Sequence, residues 1–225
     1  MRTGTSQLLE VVVRFKDIRA RTLDLLRGVS QEQAEFSPGG HRWSLAQNAD
    51  HLLLTERLYR QQALELIEAA RSGFPTTIQM DPREMNPSLA FVPPGVIAAF
   101  SLPLRMMNRL VPHEVRKMLI RVPFVRGVSP TLSEPRSHRA IAQIVRDMEL
   151  SLAETLRLPK SEQGADLTIA TVEHPLLGRN NAVQLLQLMS AHEQRHYDQM
   201  RLILTDSGLQ SSVPMSVSQV LQGKR

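Results

Sequence analysis

Ser190-Ala-His-Glu-Gln-Arg-His-Tyr197 lies late in a long helical pattern, and its reading decides how the rest of the chain is arranged. His192 and His196 are four residues apart, so on an α-helix they project from one face, one turn apart. The apolar stripe of this helix runs through Ala182, Leu185, Met189, Met200 and Ile203, and both histidines fall on it. Two imidazoles among core side chains are costly unless their ring nitrogens are satisfied. Hydrogen bonds or buried water would do this, and so would one metal ion, since neutral imidazole is a common ligand for divalent transition metals.

His51 strengthens the metal reading. It belongs to a second helix, from Ser44 to about Ala70, that opens with a Ser44-x-x-Gln47 capping box. His51 adjoins the buried face marked by Leu45, Ala49, Leu52, Tyr59, Ala63, Leu66 and Ile67. Three imidazoles converging inside a helical core leave coordination positions open, which is the pattern of a catalytic rather than a structural metal site. With nitrogen ligands only, nickel, zinc, iron(II) and manganese are all compatible.

Three sharper motif readings fail. His192-Glu193-Gln194-Arg195-His196 satisfies H-E-x-x-H literally, the zinc protease motif. No glutamate follows Glu193 and no histidine follows His196 to supply a downstream third ligand, and Arg195 puts a charge inside the motif. A di-iron carboxylate site needs two Glu-x-x-His copies and two more glutamates, and only Glu193 to His196 supplies one. No G-x-S-x-G nucleophile elbow occurs.

Two more helical patterns complete the frame. The first runs from about Ser6 to Arg27, with Leu8, Val12, Phe15, Ile18, Leu25 and Leu26 inside and Arg14, Lys16, Arg19 and Arg21 on its outer face. The other runs from about Ser137 to Leu158, with Ile141, Ile144, Val145, Met148, Leu152 and Leu156 as its stripe, and Pro159 ends it. Between the second and third helices, residues 72–132 hold most of the chain's 14 prolines. Proline breaks helices, so short pieces are expected at about 96–110 and 112–122, serving as a cover or a dimer surface. Residues 167–172 form a short apolar segment, and His174-Pro-Leu-Leu-Gly178 reads as a turn. Asn180 or Asn181 caps the last helix. With no convincing strand, the expected fold is all-α: an antiparallel four-helix bundle in a single domain, 1–225, with a long Pro-rich helical insertion at 72–132 and a polar tail at 211–225.

Composition sets outer bounds. The 225 residues contain no cysteine, so a thiolate metal site and a cysteine nucleophile are excluded. The net charge is +5 and the pI near 10.2, but the bases are spread over several helices and no zinc-finger, RNP or basic-zipper pattern occurs. A nucleic-acid partner is therefore not expected. The N-terminus lacks a signal-peptide pattern and no apolar run approaches the ~20 residues of a membrane span, so a cytoplasmic protein is the expectation.

Trp43-Ser44-Leu-Ala-Gln47-Asn-Ala-Asp-His51-Leu52 resembles the second-helix signature of the DinB-like (YfiT-like) superfamily of damage-inducible proteins. His174-Pro175-Leu-Leu-Gly178, followed by His192-Glu-Gln-Arg-His196-Tyr-Asp-Gln199, resembles its last-helix signature. The resemblance covers residues 72–132 poorly. It implies a metal held between the second and fourth helices on His51, His192 and His196, and a homodimer. Relatives of this kind include thiol-dependent transferases and isomerases using bacillithiol, mycothiol or glutathione. The implied function is a metal-dependent enzyme of the thiol-transferase kind, with a small-molecule substrate and a low-molecular-weight thiol as cosubstrate. The alternative is a non-catalytic metal-binding stress-response or interaction module. Glu193 and Gln47 are candidate hydrogen-bond partners of the ligand histidines. His41 and His174 could line the mouth, and Arg105 or Arg109 could attract an anionic thiol.

Overall fold

The computed structural model describes residues 4–39, 42–79, 112–115, 118, 133–174 and 178–206. In chain order these form α1 (Gly4–Arg27), α2 (Gln31–Glu35), α3 (Leu45–Arg71), β1 (Thr76–Gln79), α4 (Ile141–Thr155), β2 (Ala170–His174), β3 (Gly178–Asn180) and α5 (Ala182–Asp206). A 3-10 turn, Leu158–Lys160, follows α4. The four long helices form the frame: α1 and α3 each pack against both α4 and α5. No helix among the described residues is long and apolar enough to cross a membrane.

The helix starts follow local chemistry. Ser44 caps α3, with its Oγ accepting from Gln47 N at 3.2 Å and Gln47 Oε1 accepting from Ser44 N at 2.9 Å. Asn181, rather than Asn180, caps α5: its Oδ1 accepts from Gln184 N at 2.9 Å, and Gln184 Oε1 accepts from Asn181 N at 3.0 Å. The third core helix begins at Ile141, four residues later than the sequence suggested, and its own N-cap residue, Ala140, has no side-chain cap. The orphan N–H of Ile141 is satisfied instead by Gln31 Oε1 of α2 at 2.8 Å. α2 has its own capping box, Ser30 with Gln33, but five residues are too few to show a helical period, so it was missed.

The all-α expectation needs one correction. β1 pairs parallel with β2, from Thr76 with Ala170 to Gln79 with Glu173, and β2 pairs antiparallel with β3, from Val172 with Asn180 to His174 with Gly178. Of the stretch expected to turn, His174 and Gly178 are paired strand residues and residues 175–177 lie outside the described residues; Gly178 takes a positive φ of 68°. Ala170 and Val172 are buried in the core. The strands have three to five residues each, too short for alternation to register. β1 also falls inside the segment expected to be helical. Residues 113–115 and 118 are helical; the rest of the pieces expected at 96–110 and 112–122, and the tail 211–225, lie outside the described residues.

The buried apolar side chains form two clusters. One joins Leu8, Val12 and Phe15 of α1 to Ala63, Leu66 and Ile67 of α3, the first half of α5 and β2. The other joins Leu23 and Leu26 to Leu45, Leu52 and Leu53, α4 from Ile141 to Met148, and Met200 and Ile203. Between them along each helix lies a charged layer. Arg19, expected on an outer face, is fully buried. Its Nε and Nη2 donate to Glu193 Oε1 and Oε2 at 2.8 and 2.9 Å, and its Nη1 donates to Glu56 Oε2 at 2.7 Å. Glu56 Oε1 also accepts from Thr155 Oγ1 at 2.6 Å. Arg60 Nη1 reaches Ser151 Oγ at 2.7 Å and its Nη2 pairs with Glu154 at 2.5 Å. One layer thus ties all four long helices together.

Removing the central cation leaves Glu193 buried without its bidentate partner and Glu56 with Thr155 and a longer, 3.6 Å contact to Arg60. Arg19→Ala is expected to cost about 3–5 kcal/mol of stability, read from the urea unfolding midpoint. A loss below about 1 kcal/mol, the scale of an exposed pair, would show that the layer is not the tie described.

Candidate metal centre

Helix geometry brings the three predicted histidines together. His192 and His196 present one face of α5 to α3, which carries His51. One ligand-capable ring nitrogen from each lies within 4.8 Å of the others. The ring centroids are 5.1 Å apart for His51 and His192, 4.9 Å for His51 and His196, and 4.5 Å for His192 and His196. His51 and His196 are buried, at 5% and 7% exposure, while His192 is partly exposed. The His192 ring itself is packed among its neighbours, and burial is the largest influence on it.

Hydrogen bonds fix two of the three tautomers. His51 Nδ1 lies 2.6 Å from the carbonyl oxygen of Ser133, which can only accept, so Nδ1 carries the proton. His196 Nδ1 lies 2.9 Å from Asn48 Oδ1. The orientation of that amide is set by its nitrogen, which donates to the carbonyls of Ser44 at 2.9 Å and Trp43 at 3.4 Å. Asn48 Oδ1 is thus an acceptor, and His196 also carries its proton on Nδ1. Both Nε2 atoms are left with a lone pair directed into the cluster. His51 Nε2 and His192 Nε2 are 3.3 Å apart. Two ligands on one tetrahedral ion with bonds of ~2.0–2.1 Å would be about that far apart.

Electrostatics keep the rings neutral. Burial pushes all three below the ordinary histidine range, and His192 and His196 are held well below it. Mutual repulsion and the Arg195 guanidinium add to the effect. A neutral imidazole is the form that ligates a metal. Trp43 closes one side, with its ring 4.7 Å from His51 and 6.3 Å from His196. The residues fit a divalent transition ion: three neutral nitrogen donors, two with orientation fixed by an acceptor behind the ring.

The supporting residues differ from those expected. Gln47 is engaged in the α3 cap and Glu193 in the bidentate pair with Arg19, so neither hydrogen-bonds to a histidine of the cluster. Their places are taken by Asn48 and the Ser133 backbone. Asn48 sits three residues before His51 in the quoted motif, a spacing that could have flagged it. Ser133 contributes a main-chain atom and left no side-chain signal. His41, Arg105, Arg109 and the side chain of His174 lie outside the described residues.

The depressed histidines have a consequence for pH. The unfolded chain binds protons below about pH 6.5, where the folded state does not. Stability from this cluster is present above that value and lost as pH falls through the folded-state values. Metal-free protein should therefore lose urea resistance between about pH 7.5 and about pH 5, and His192→Gln with His196→Gln should flatten that slope. An equal slope in the double variant would exclude the cluster as its source.

No curated protein and no solved structure matches the chain. The family model of the DinB superfamily matches residues 14–200, a span running from α1 into α5 that contains all three histidines. The chain belongs to the DinB superfamily.

Proposed function

We propose that this chain is a metal-dependent enzyme of the thiol-transferase kind, built on an antiparallel four-helix bundle with His51, His192 and His196 as the metal ligands. The observation that carries the reading is the convergence of three neutral imidazoles, two of them locked by acceptors on Nδ1. Bound there, a divalent transition ion such as nickel, zinc, iron or manganese would supply Lewis acidity that lowers the pKa of a thiol or of water.

The chain's own residues provide the rest. Ser133 and Asn48 hold two rings in the ligating tautomer. Trp43 shields the site from water on one side. Arg195 places a cation near all three histidines, with Asp50 opposing it at His51. A cation beside the site suits an anionic cosubstrate, and low-molecular-weight thiols carrying carboxylates are of that type. A small electrophile as substrate and a homodimer in the cytoplasm complete the proposal; membership of the superfamily supports the metal more directly than the reaction.

Elemental analysis of protein purified without chelators tests the site. About one equivalent of transition metal per chain is expected, with loss in both His51→Ala and His196→Ala. A folded wild type that takes up neither nickel nor zinc would defeat the proposal. Loaded protein should then consume thiol with a small electrophile, and a loaded protein inert to every thiol offered would favour the non-catalytic module.

A further inference from the structure

α3 carries two adjacent buried groups that face different ways. His51 points into the metal cluster, and Asp50, fully buried, points toward the segment that precedes α4. Successive residues on a helix diverge by about 100°, so one face can serve the site while the next grips a neighbour. Asp50 accepts four hydrogen bonds, which fills the acceptor capacity of a carboxylate. Arg136 donates its backbone N–H to Oδ2 at 2.8 Å, its Nε to Oδ2 at 3.1 Å and its Nη2 to Oδ1 at 2.7 Å. Arg139 Nη1 adds a bond to Oδ1 at 2.7 Å.

The same segment supplies the acceptor behind His51. Ser133, three residues before Arg136, is buried and places its carbonyl oxygen 2.6 Å from His51 Nδ1. Further along, Arg139 Nη2 bonds Asp147 of α4 at 2.6 Å and the Arg139 carbonyl accepts from Gln31 of α2 at 3.3 Å. Between the two arginines, His138 has a positive φ of 56°, a conformation that a non-glycine residue adopts only when its surroundings impose it. Ser133 itself is in a 3-10 conformation, and 134–140 between it and α4 is irregular. Asp50 is the anchor on α3 that fixes it.

We infer that Asp50, through Arg136 and Arg139, is a positioning residue of the metal centre: it holds the Ser133 carbonyl against His51 and so keeps His51 in the Nδ1–H tautomer with Nε2 facing the cluster. The inference rests on the reading of His51 as a ligand. Asp50 makes no hydrogen bond to the His51 ring; its charge also favours the protonated imidazole directly, but its hold on the tautomer runs through the 133–136 backbone. Because the contact to His51 is a main-chain carbonyl, side-chain substitution of Ser133 leaves it in place, and the anchor is the point at which it can be released.

Two readouts test this in the full chain. Nitrogen–proton correlation of the imidazoles in metal-free protein should show His51 as the Nδ1–H tautomer in the wild type and as a tautomer mixture in Asp50→Asn. Cobalt(II) affinity, measured by the absorption of the loaded protein, should fall tenfold or more in Asp50→Asn, the scale seen when an outer partner of a ligand is lost. Glu149→Ala, which breaks an exposed pair with Arg27, should change neither. If Asp50→Asn does not fold, Arg136→Gln decides; this side chain is half exposed and keeps the backbone bond, and smaller changes in the same directions are expected. An unchanged His51 tautomer and unchanged cobalt affinity in the folded variant would overturn the inference. A wild type that binds no cobalt would instead defeat the metal reading, and the tautomer signal would still decide whether Asp50 sets His51.

Discussion

The Arg19 guanidinium sets the register of the helices that build the site. It is fully buried and bonded in parallel to both oxygens of Glu193, with Glu56 on its remaining side. A bidentate arginine–carboxylate pair is directional, so it fixes the rotation of α5 as well as its distance from α1. Glu193 lies one residue after His192 and three before His196. With Glu193 turned to Arg19, the two histidines are turned to α3 and His51. Two apolar clusters above and below would tolerate some sliding of one helix on another, because hydrophobic contact is not directional. The charged layer between them does not. A well-packed apolar layer can match a buried ion pair in stability, and what the ions contribute here is geometry.

This use of Glu193 also disposes of the two motif readings that the sequence raised. In an H-E-x-x-H protease the glutamate is the general base beside the metal, and in a di-iron bundle it is a ligand. Here its side chain is buried and both oxygens are held by Arg19. The three-nitrogen set is left as the ligand-capable group among the described residues. The local string is the same as in those enzymes, and the role differs because the partner comes from another helix.

What could be read from the sequence follows from range. The long helices, the α3 capping box and the placement of all three histidines rest on spacings of three to seven residues within a helix, where the period is fixed by the backbone. Arg19 was misread for the same reason: a basic residue on a helix is normally solvated, and its partners lie 37 and 174 residues away. The sheet was missed because its strands are short and β1 pairs with β2 across about ninety residues, with Thr77 opposite Thr171 and Ile78 opposite Val172. Asn48 and Ser133 illustrate two grades of difficulty. Asn48 was visible as a polar residue inside the motif, whereas a backbone carbonyl carries no signature in any sequence.

The asymmetry among the three rings bears on how they could take up an ion. His51 and His196 each face a fixed acceptor, so their Nε2 lone pairs are in place before any ion arrives. The 3.3 Å approach of His192 Nε2 to His51 Nε2 is then satisfied either by a proton on His192 Nε2 or by a cation shared between them. Only His192 would have to change its proton position to offer a third lone pair. Moving that proton to Nδ1 would leave the ring neutral, so an ion bound there would need one tautomer change at His192 and no rearrangement of His51 and His196. An arrangement of this kind is rigid at two rings, where acceptors fix the proton, and adaptable at the third.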